Sequence, residues 1–309
     1  MSRLDETAKG VFVIAATPFT DNGAIDFGST DRMVDFYLEN GATGITVLGM
    51  MGEAPKLSSD EAREFVRHVN RRVARRVPVV AGVSSAGFAA MAELSKAAME
   101  DGCAGVMVAP PHNLRTDDQI LKYYQQVAQT LGPVPFVLQD FPLVTGVQIA
   151  TSVINRIIAS VPTCVMLKHE DWPGLAKVSA LRAESERGGR RISILVGNGG
   201  MFLTEEMARG VDGAMTGFAY PEMMASVVAA SGAKNLERAR DIFDAYLPLM
   251  RYEQQPGLGL AVRKYIMAKR GVIASAALRE PRVNLSPADI AEIEILIARQ
   301  ERRLKELGA

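Results

Sequence analysis

The chain has 309 residues, 48% hydrophobic and 23% charged, enough to bury a barrel-sized core or two smaller ones. Its 35 basic residues balance 35 acidic ones, which leaves no overall field to attract nucleic acid or an acidic membrane surface. No apolar run approaches the roughly 20 residues of a membrane-spanning helix, and the polar opening has no signal-peptide core, so a cytoplasmic protein is expected.

Taken in order, short apolar runs rich in β-branched residues alternate with longer amphipathic stretches. The runs fall at residues 10–15, 44–48, 78–82, 105–109, 135–138, 165–168, 192–196 and 212–216. Most are hydrophobic at nearly every position, as strands buried on both faces are. Their number and their spread over about 200 residues predict a closed (β/α)8 TIM barrel. An open, doubly wound sheet is the competitor. No Gly-x-Gly-x-x-Gly follows the first run, which removes that fold's usual dinucleotide site.

Helix signals lie between the runs. Ser58 and Thr116, answered three residues later by Glu61 and Gln119, have the form of capping boxes. Asn40-Gly41 and Asp101-Gly102 read as helix C-termini, where glycine accepts a left-handed turn. Arg71, Arg72, Arg75 and Arg76 sit at helical spacing before Val77-Pro78 and read as a solvated helix face. Beyond about residue 222 the strand pattern stops, and helices are expected over 236–252, 259–270 and 288–307. Ser286-Pro287 opens the last of these, and Ile290, Ile293, Ile297, Leu304 and Leu307 form its apolar stripe. The expected organisation is a barrel over 1–228 and a C-terminal helical domain over 229–309.

Cys103 and Cys164 stand in separate apolar settings and are expected to be buried thiols. His68, His112 and His169 pair with no other ligand at metal spacing, so neither a metal nor a cofactor is expected.

In a barrel of this kind the site lies at the C-terminal ends of the strands. Unusual residues fall there: Thr17-Pro18, Gly49-Met50-Met51-Gly52-Glu53, Pro110-Pro111-His112-Asn113, Gln139-Asp140, Lys168-His169-Glu170, Gly197-Asn198-Gly199-Gly200 and Gly217-Phe218. Val165-Met166-Leu167 leads straight into Lys168. An amine at the mouth of an apolar cavity is poorly solvated, which favours its neutral, nucleophilic form. The 49–53 loop offers closely spaced backbone N–H groups, a fit for a small carboxylate. Strand alternation puts Lys168 and Glu170 on one face and His169 on the other. Glu170 is therefore the preferred acid/base, and His169 is expected to pack between strand and helix. A solvated strand end, with Glu170 a simple ion-pair partner, is the plainer alternative. His112 reads equally as a loop residue or a relay, His68 as a surface residue, and Trp172 as a hydrophobic lid.

The Gly49-x-x-Gly52-Glu53 loop, Phe141-Pro142 after the fifth strand, the sixth-strand lysine and the helical tail together resemble the dihydrodipicolinate synthase/N-acetylneuraminate lyase superfamily, over nearly the whole chain. The resemblance implies a (β/α)8 enzyme that forms a Schiff base between Lys168 and a small 2-keto acid. It also implies a homotetramer, and the balanced charge leaves neither nucleic acid nor membrane as an expected partner. The departures are specific. Most members have a proton-shuttling tyrosine where Gln139 stands, and Gln139 has no titratable group. The usual threonine pair is Met50-Met51, so only backbone N–H groups remain to hold a carboxylate. The synthase's substrate-binding arginine aligns with Val144, and its relay tyrosine with His112, so the synthase reaction is not expected.

Lys168-x-Glu170 with Gln139 resembles instead the 2-keto-3-deoxy-L-arabonate dehydratases of that superfamily. This implies loss of water from a 2-keto-3-deoxy pentonate to give 2-oxoglutarate semialdehyde. Lys168 and Glu170 are the expected catalytic pair. Gly49, Met50, Met51, Gln139, Asn198, Gly199 and His112 are the expected substrate-binding residues. A class I retro-aldol lyase is the alternative, and a catalytically dead ligand-binding barrel is a third reading.

Overall fold

The computed structural model describes residues 3–308, so Met1, Ser2 and Ala309 of the expected domains lie outside the described residues. Eight parallel strands pair in sequence order and close between the eighth and the first. In chain order the elements are β1 (Gly10–Ile14), α1 (Phe27–Glu39), β2 (Gly44–Val47), α2 (Ser59–Val73), β3 (Val79–Gly82), α3 (Phe88–Glu100) and β4 (Gly105–Val108). Next come α4 (Asp117–Leu131), β5 (Phe136–Asp140), the short α5 (Pro142–Thr145), α6 (Thr151–Ser160), β6 (Cys164–His169), α7 (Leu175–Glu186) and β7 (Ser193–Val196). The chain ends with α8 (Leu203–Met207), β8 (Gly213–Ala214), α9 (Pro221–Gly232), α10 (Leu236–Glu253), α11 (Gly259–Lys269) and α12 (Pro287–Glu306). The TIM barrel with a helical tail is the architecture the sequence predicts.

Two apolar layers hold it. Phe12, Ile14, Val80, Met107, Val137, Met166, Leu195 and Met215 fill the barrel interior together with Leu4. Alternate strand residues such as Val11, Val13, Ile45, Val47 and Leu167 face outward into the layer shared with the helices. Both expected capping boxes form, at Ser58/Glu61 and Thr116/Gln119, and a third opens α12 at Ser286/Asp289. Each such cap is worth about 1 kcal/mol.

Three local expectations are corrected. Strand 5 runs on through Gln139 and Asp140, because both pair with β6 at Lys168 and His169. Strand 8 shrinks to two residues. Gly213 has φ 145°, and a Cβ there would lie 1.9 Å from the Gly10 carbonyl oxygen, so closure brings two backbones together where only glycine fits. Arg75 and Arg76 lie past the end of α2 rather than on its face, since Ala74 and Arg75 both turn left-handed. Arg72 and Arg76 pair with Asp35 of α1.

Cys103 and Cys164 are buried free thiols, pushed by that burial up to about 11 and about 12. Among the described residues no helix is long and apolar enough to cross a membrane. The division expected at 228/229 falls inside α9, which packs on β1 and β8 as part of the barrel's helical layer. α10 then packs on α9, and α11 and α12 pack on α10.

Glu206 of α8 is buried with its Oε2 unpartnered, and burial raises its pKa to about 8. The folded protein keeps that proton where an unfolded chain releases it. The associated stability is therefore present below about pH 4.5 and erodes as pH rises to about 8. Glu206→Gln should remove this slope. Thermal melts should favour the variant by roughly 1–3 kcal/mol at pH 9, with the gap closing towards pH 5. Parallel melting curves at both pH values would show that Glu206 carries no such penalty.

Candidate active site

The site is set by alternation along two neighbouring strands. Val137 and Met166 face the barrel interior, so Gln139 and Lys168, two residues on, face it too, and they pair directly across the sheet. Glu170 stands one residue past β6, but its N–H still donates to the Asp140 carbonyl at 2.9 Å, so the chain keeps its strand direction. Three polar side chains therefore meet in the mouth. Lys168 Nζ lies 3.1 Å from Glu170 Oε2, and Gln139 Nε2 donates to that same oxygen at 2.7 Å. All three are buried. Gln139 fixes the carboxylate without competing for its proton.

Glycines make room for this group. A Cβ on Gly197 would stand 2.2 Å from Glu170 Cγ. Asn198 Nδ2 donates to the Glu170 carbonyl at 2.8 Å, and the Gly199 N–H donates to Thr216 Oγ1 at 2.8 Å. The loop after β7 is thus tied to both β6 and β8.

The outward-facing partners form a different cluster. Asp140 and His169 are buried behind the sheet, with His169 Nδ1 3.8 Å from Asp140 Oδ2. Lys177 of α7 donates to Asp140 at 2.8 Å and to the Ile149 carbonyl at 2.8 Å, and pairs with Asp171 at 2.7 Å. Burial, with Lys177 adding to it, pushes His169 down to about 4, so it is neutral at physiological pH. Burial pushes Asp140 up to about 6 against the pull of Lys177. His169 is a packing residue between strand and helix.

On the opposite rim a tight turn, Met50–Gly52, follows Gly49. No described residue accepts from the N–H groups of Met50 and Met51, the first of that turn. Leu48, Glu53 and Asn198 are non-glycine residues held left-handed, at φ 56°, 55° and 50°. Such strain costs about 1 kcal/mol or more per residue and persists where surroundings enforce it. Around Leu48 and Glu53 the Glu53 carboxylate enforces it. It receives Lys264 Nζ at 2.7 Å, Lys56 Nζ at 2.9 Å and the Arg279 N–H at 3.0 Å. Lys264 is fully buried 4.4 Å over the Phe19 ring, and that burial lowers its pKa to about 8.

Between the rims lies a cavity of about 490 Å³, reached by Gln139, Lys168, Glu170, Met50, Met51, Asn198 and Gly199. Gly49 sits buried beneath the Met50 turn. His112 stays outside. It is exposed on the β4–α4 loop, where its carbonyl accepts from Arg115, and its side chain does not line the cavity. Trp172 is no lid over this cavity: it is 44% exposed, packs on Phe202 at 4.9 Å and borders a separate open groove. Thr216 and the tail residues Glu253, Gln254 and Arg263 line the cavity without having been expected there. The only sequence trace of them is Gly199 and Gly217, whose missing Cβ atoms the Gln254 and Arg263 side chains occupy.

A closed barrel with a buried lysine ending its sixth strand, a carboxylate in contact and free N–H groups opposite is the framework of a Schiff-base-forming lyase. The chain belongs to the Dihydrodipicolinate synthetase family, whose pattern matches residues 7–300. It is 30% identical over 297 residues to the L-2-keto-3-deoxyarabonate dehydratase of Azospirillum brasilense, covering 94% of each chain. It is 31% identical over 302 residues to the 4-hydroxy-tetrahydrodipicolinate synthase of Sorangium cellulosum (strain So ce56), covering 95% of this chain and 96% of that one. A crystal structure of a dihydrodipicolinate synthase from Rhodopseudomonas palustris superposes with a TM-score of 0.95 at 49% identity, over 97% of this chain and all of the other.

Because Gly197 yields its space to Glu170, Gly197→Ala should displace the carboxylate and spare the lysine. Proton exchange on a bound keto acid should fall more than borohydride trapping does. Equal loss of both would mean that the loop, not the carboxylate, had been disturbed.

Proposed function

We propose that the protein is a hydro-lyase acting on a 2-keto-3-deoxy sugar acid, and that its substrate is 2-keto-3-deoxy-L-arabonate. The product is 2-oxoglutarate semialdehyde, released with water. The observation that carries this reading is the shared Glu170 oxygen, 3.1 Å from the Lys168 amine and fixed at 2.7 Å by a glutamine that cannot titrate. The likeness to the A. brasilense dehydratase supports the same choice.

Under this reading the substrate carboxylate rests on the N–H groups of Met50 and Met51, and Lys168 attacks C2 and expels water to form the iminium. That cation acidifies the C3 hydrogens. Glu170, beside the iminium nitrogen, takes one of them to give a neutral enamine. The enamine pushes out the C4 hydroxyl, which leaves as water with the proton that Glu170 returns. Proton transfer from C5 to C3 then moves the C3–C4 double bond to C4–C5, the resulting enol becomes the aldehyde, and hydrolysis frees Lys168. Cleavage of C3–C4 needs a base on the C4 hydroxyl, a role for which Gln139 is unsuited. The assembly proposed is a cytoplasmic homotetramer.

Lys168→Ala should abolish turnover and reductive labelling by pyruvate. The next lysine, Lys177, has its donors occupied outside the barrel, so labelling that persisted would refute the imine assignment. Glu170→Gln should still be labelled, yet lose dehydration and exchange of pyruvate methyl hydrogens by about 10²–10⁴-fold. Wild-type exchange in that variant would remove Glu170 from the proton transfer. Formation of pyruvate and an aldehyde, in place of semialdehyde, would assign cleavage instead.

The carboxylate cradle is tested separately. A side chain at Gly49 would press on Ile14, with Cβ 2.9 Å from its Cγ2. Gly49→Val should therefore raise the half-saturating pyruvate concentration for trapping, whereas Met51→Thr should leave imine formation largely intact. Equal damage from the two would shift carboxylate binding from backbone to side chain.

A further inference from the structure

The tail's contribution to the cavity is unassigned by the reaction above. Gln254 caps α10, and its side chain makes no hydrogen bond to any described residue, with Nε2 buried. Its carboxamide lies against Gly199, where a Cβ would be 2.2 Å from Nε2. Arg263 of α11 is 1% exposed and lines the same cavity. Its Nε donates to Glu253 Oε1 at 2.6 Å, and its Nη2 donates to the Gly217 carbonyl. Its Nη1 has no partner among the described residues. Thr216 Oγ1 accepts from Gly199, which leaves its hydroxyl hydrogen free to donate.

We infer that this wall, built by the C-terminal helices, reads the far end of the keto acid, and that it selects a hydroxyl there over a second carboxylate. The inference rests on the keto-acid site proposed above. Three features carry it. A carboxylate binds arginine best through two parallel N–H···O bonds, but the Nε–H and one Nη2 hydrogen are already used, so the Nε/Nη2 edge is closed to such a pair. The Arg263 charge is balanced by Glu253, as that of Lys168 is by Glu170, so no spare positive charge faces a second anion. Burying such an unpaired anion is costly. A carboxamide offers a donor and an acceptor together, and a hydroxyl is both. Gln254 lines the cavity, and no described residue holds its carboxamide by a hydrogen bond.

Borohydride labelling at Lys168 with three five-carbon keto acids tests this: 5-hydroxy-2-oxopentanoate, 2-oxopentanoate and 2-oxoglutarate. The hydroxylated acid should half-saturate labelling at a concentration about tenfold below 2-oxoglutarate, and below 2-oxopentanoate too. Gln254→Leu should erase the preference of hydroxyl over methyl, with pyruvate labelling persisting. Equal half-saturation for all three acids, preference for 2-oxoglutarate, or no labelling by any of them overturns the inference. So does loss of pyruvate labelling in Gln254→Leu, which would make the residue a structural part of the imine site. Product identity bears on the proposed reaction alone: hydroxyl preference accompanied by cleavage would support this inference and refute dehydration.

Discussion

The contact on which the mouth of this barrel depends is that between the Lys168 amine and the Glu170 carboxylate, at 3.1 Å and out of water. At an effective dielectric constant of about 20, such a pair attracts by about 5 kcal/mol, and the lost hydration of both ions offsets much of this. The pair is therefore a poor source of stability and a good source of reactivity. Gln139 removes the remaining freedom by bonding to the same oxygen. In the proposed reaction the charge on nitrogen survives imine formation, and the first proton transfer neutralises cation and anion together. A dry site favours that step, because it ends with fewer buried charges than it began with.

The rest of the structure keeps this pair dry and in register. Gly197 gives its side-chain space to Glu170, while Asn198 and Thr216 tie the loop after β7 to β6 and β8. On the facing rim, Leu48 and Glu53 hold strained backbone around two free N–H groups. The strain is balanced by the buried Glu53 carboxylate, which three donors clamp. Two of those donors, Lys264 and the Arg279 N–H, come from the tail. The helical appendage is therefore part of the site's architecture on two sides, as brace for one rim and as wall for the other.

Much of this was legible in the sequence because it follows from local periodicity. Runs buried on both faces gave strands, and a period of two sorted Lys168 and Glu170 inward from His169, while Gln139 entered through the family resemblance. What was illegible depends on how distant helices settle. Nothing near Gln254 or Arg263 announces a cavity, and only the bare backbones of Gly199 and Gly217 hint that something must lie against them. Trp172 was misplaced because a bulky apolar residue beside a site suggests a cover, whereas its packing on Phe202 and its separate groove belong to the outer surface. His112 was left open between loop residue and relay because loop direction after β4 is not a property of periodicity.

The clamp on Glu53 joins residues 211 and 226 positions apart. During synthesis the eight strands emerge long before Lys264 and Arg279 do. When β8 is complete, the second loop has only Lys56 to meet the Glu53 carboxylate, and two of its three donors are still unmade. Order along the chain thus separates closing the barrel, which needs β8, from bracing its second loop, which needs Lys264 and Arg279. A chain clipped before Lys264 would keep every strand yet lose two of the three donors on Glu53, and with them the brace on the loop opposite Lys168.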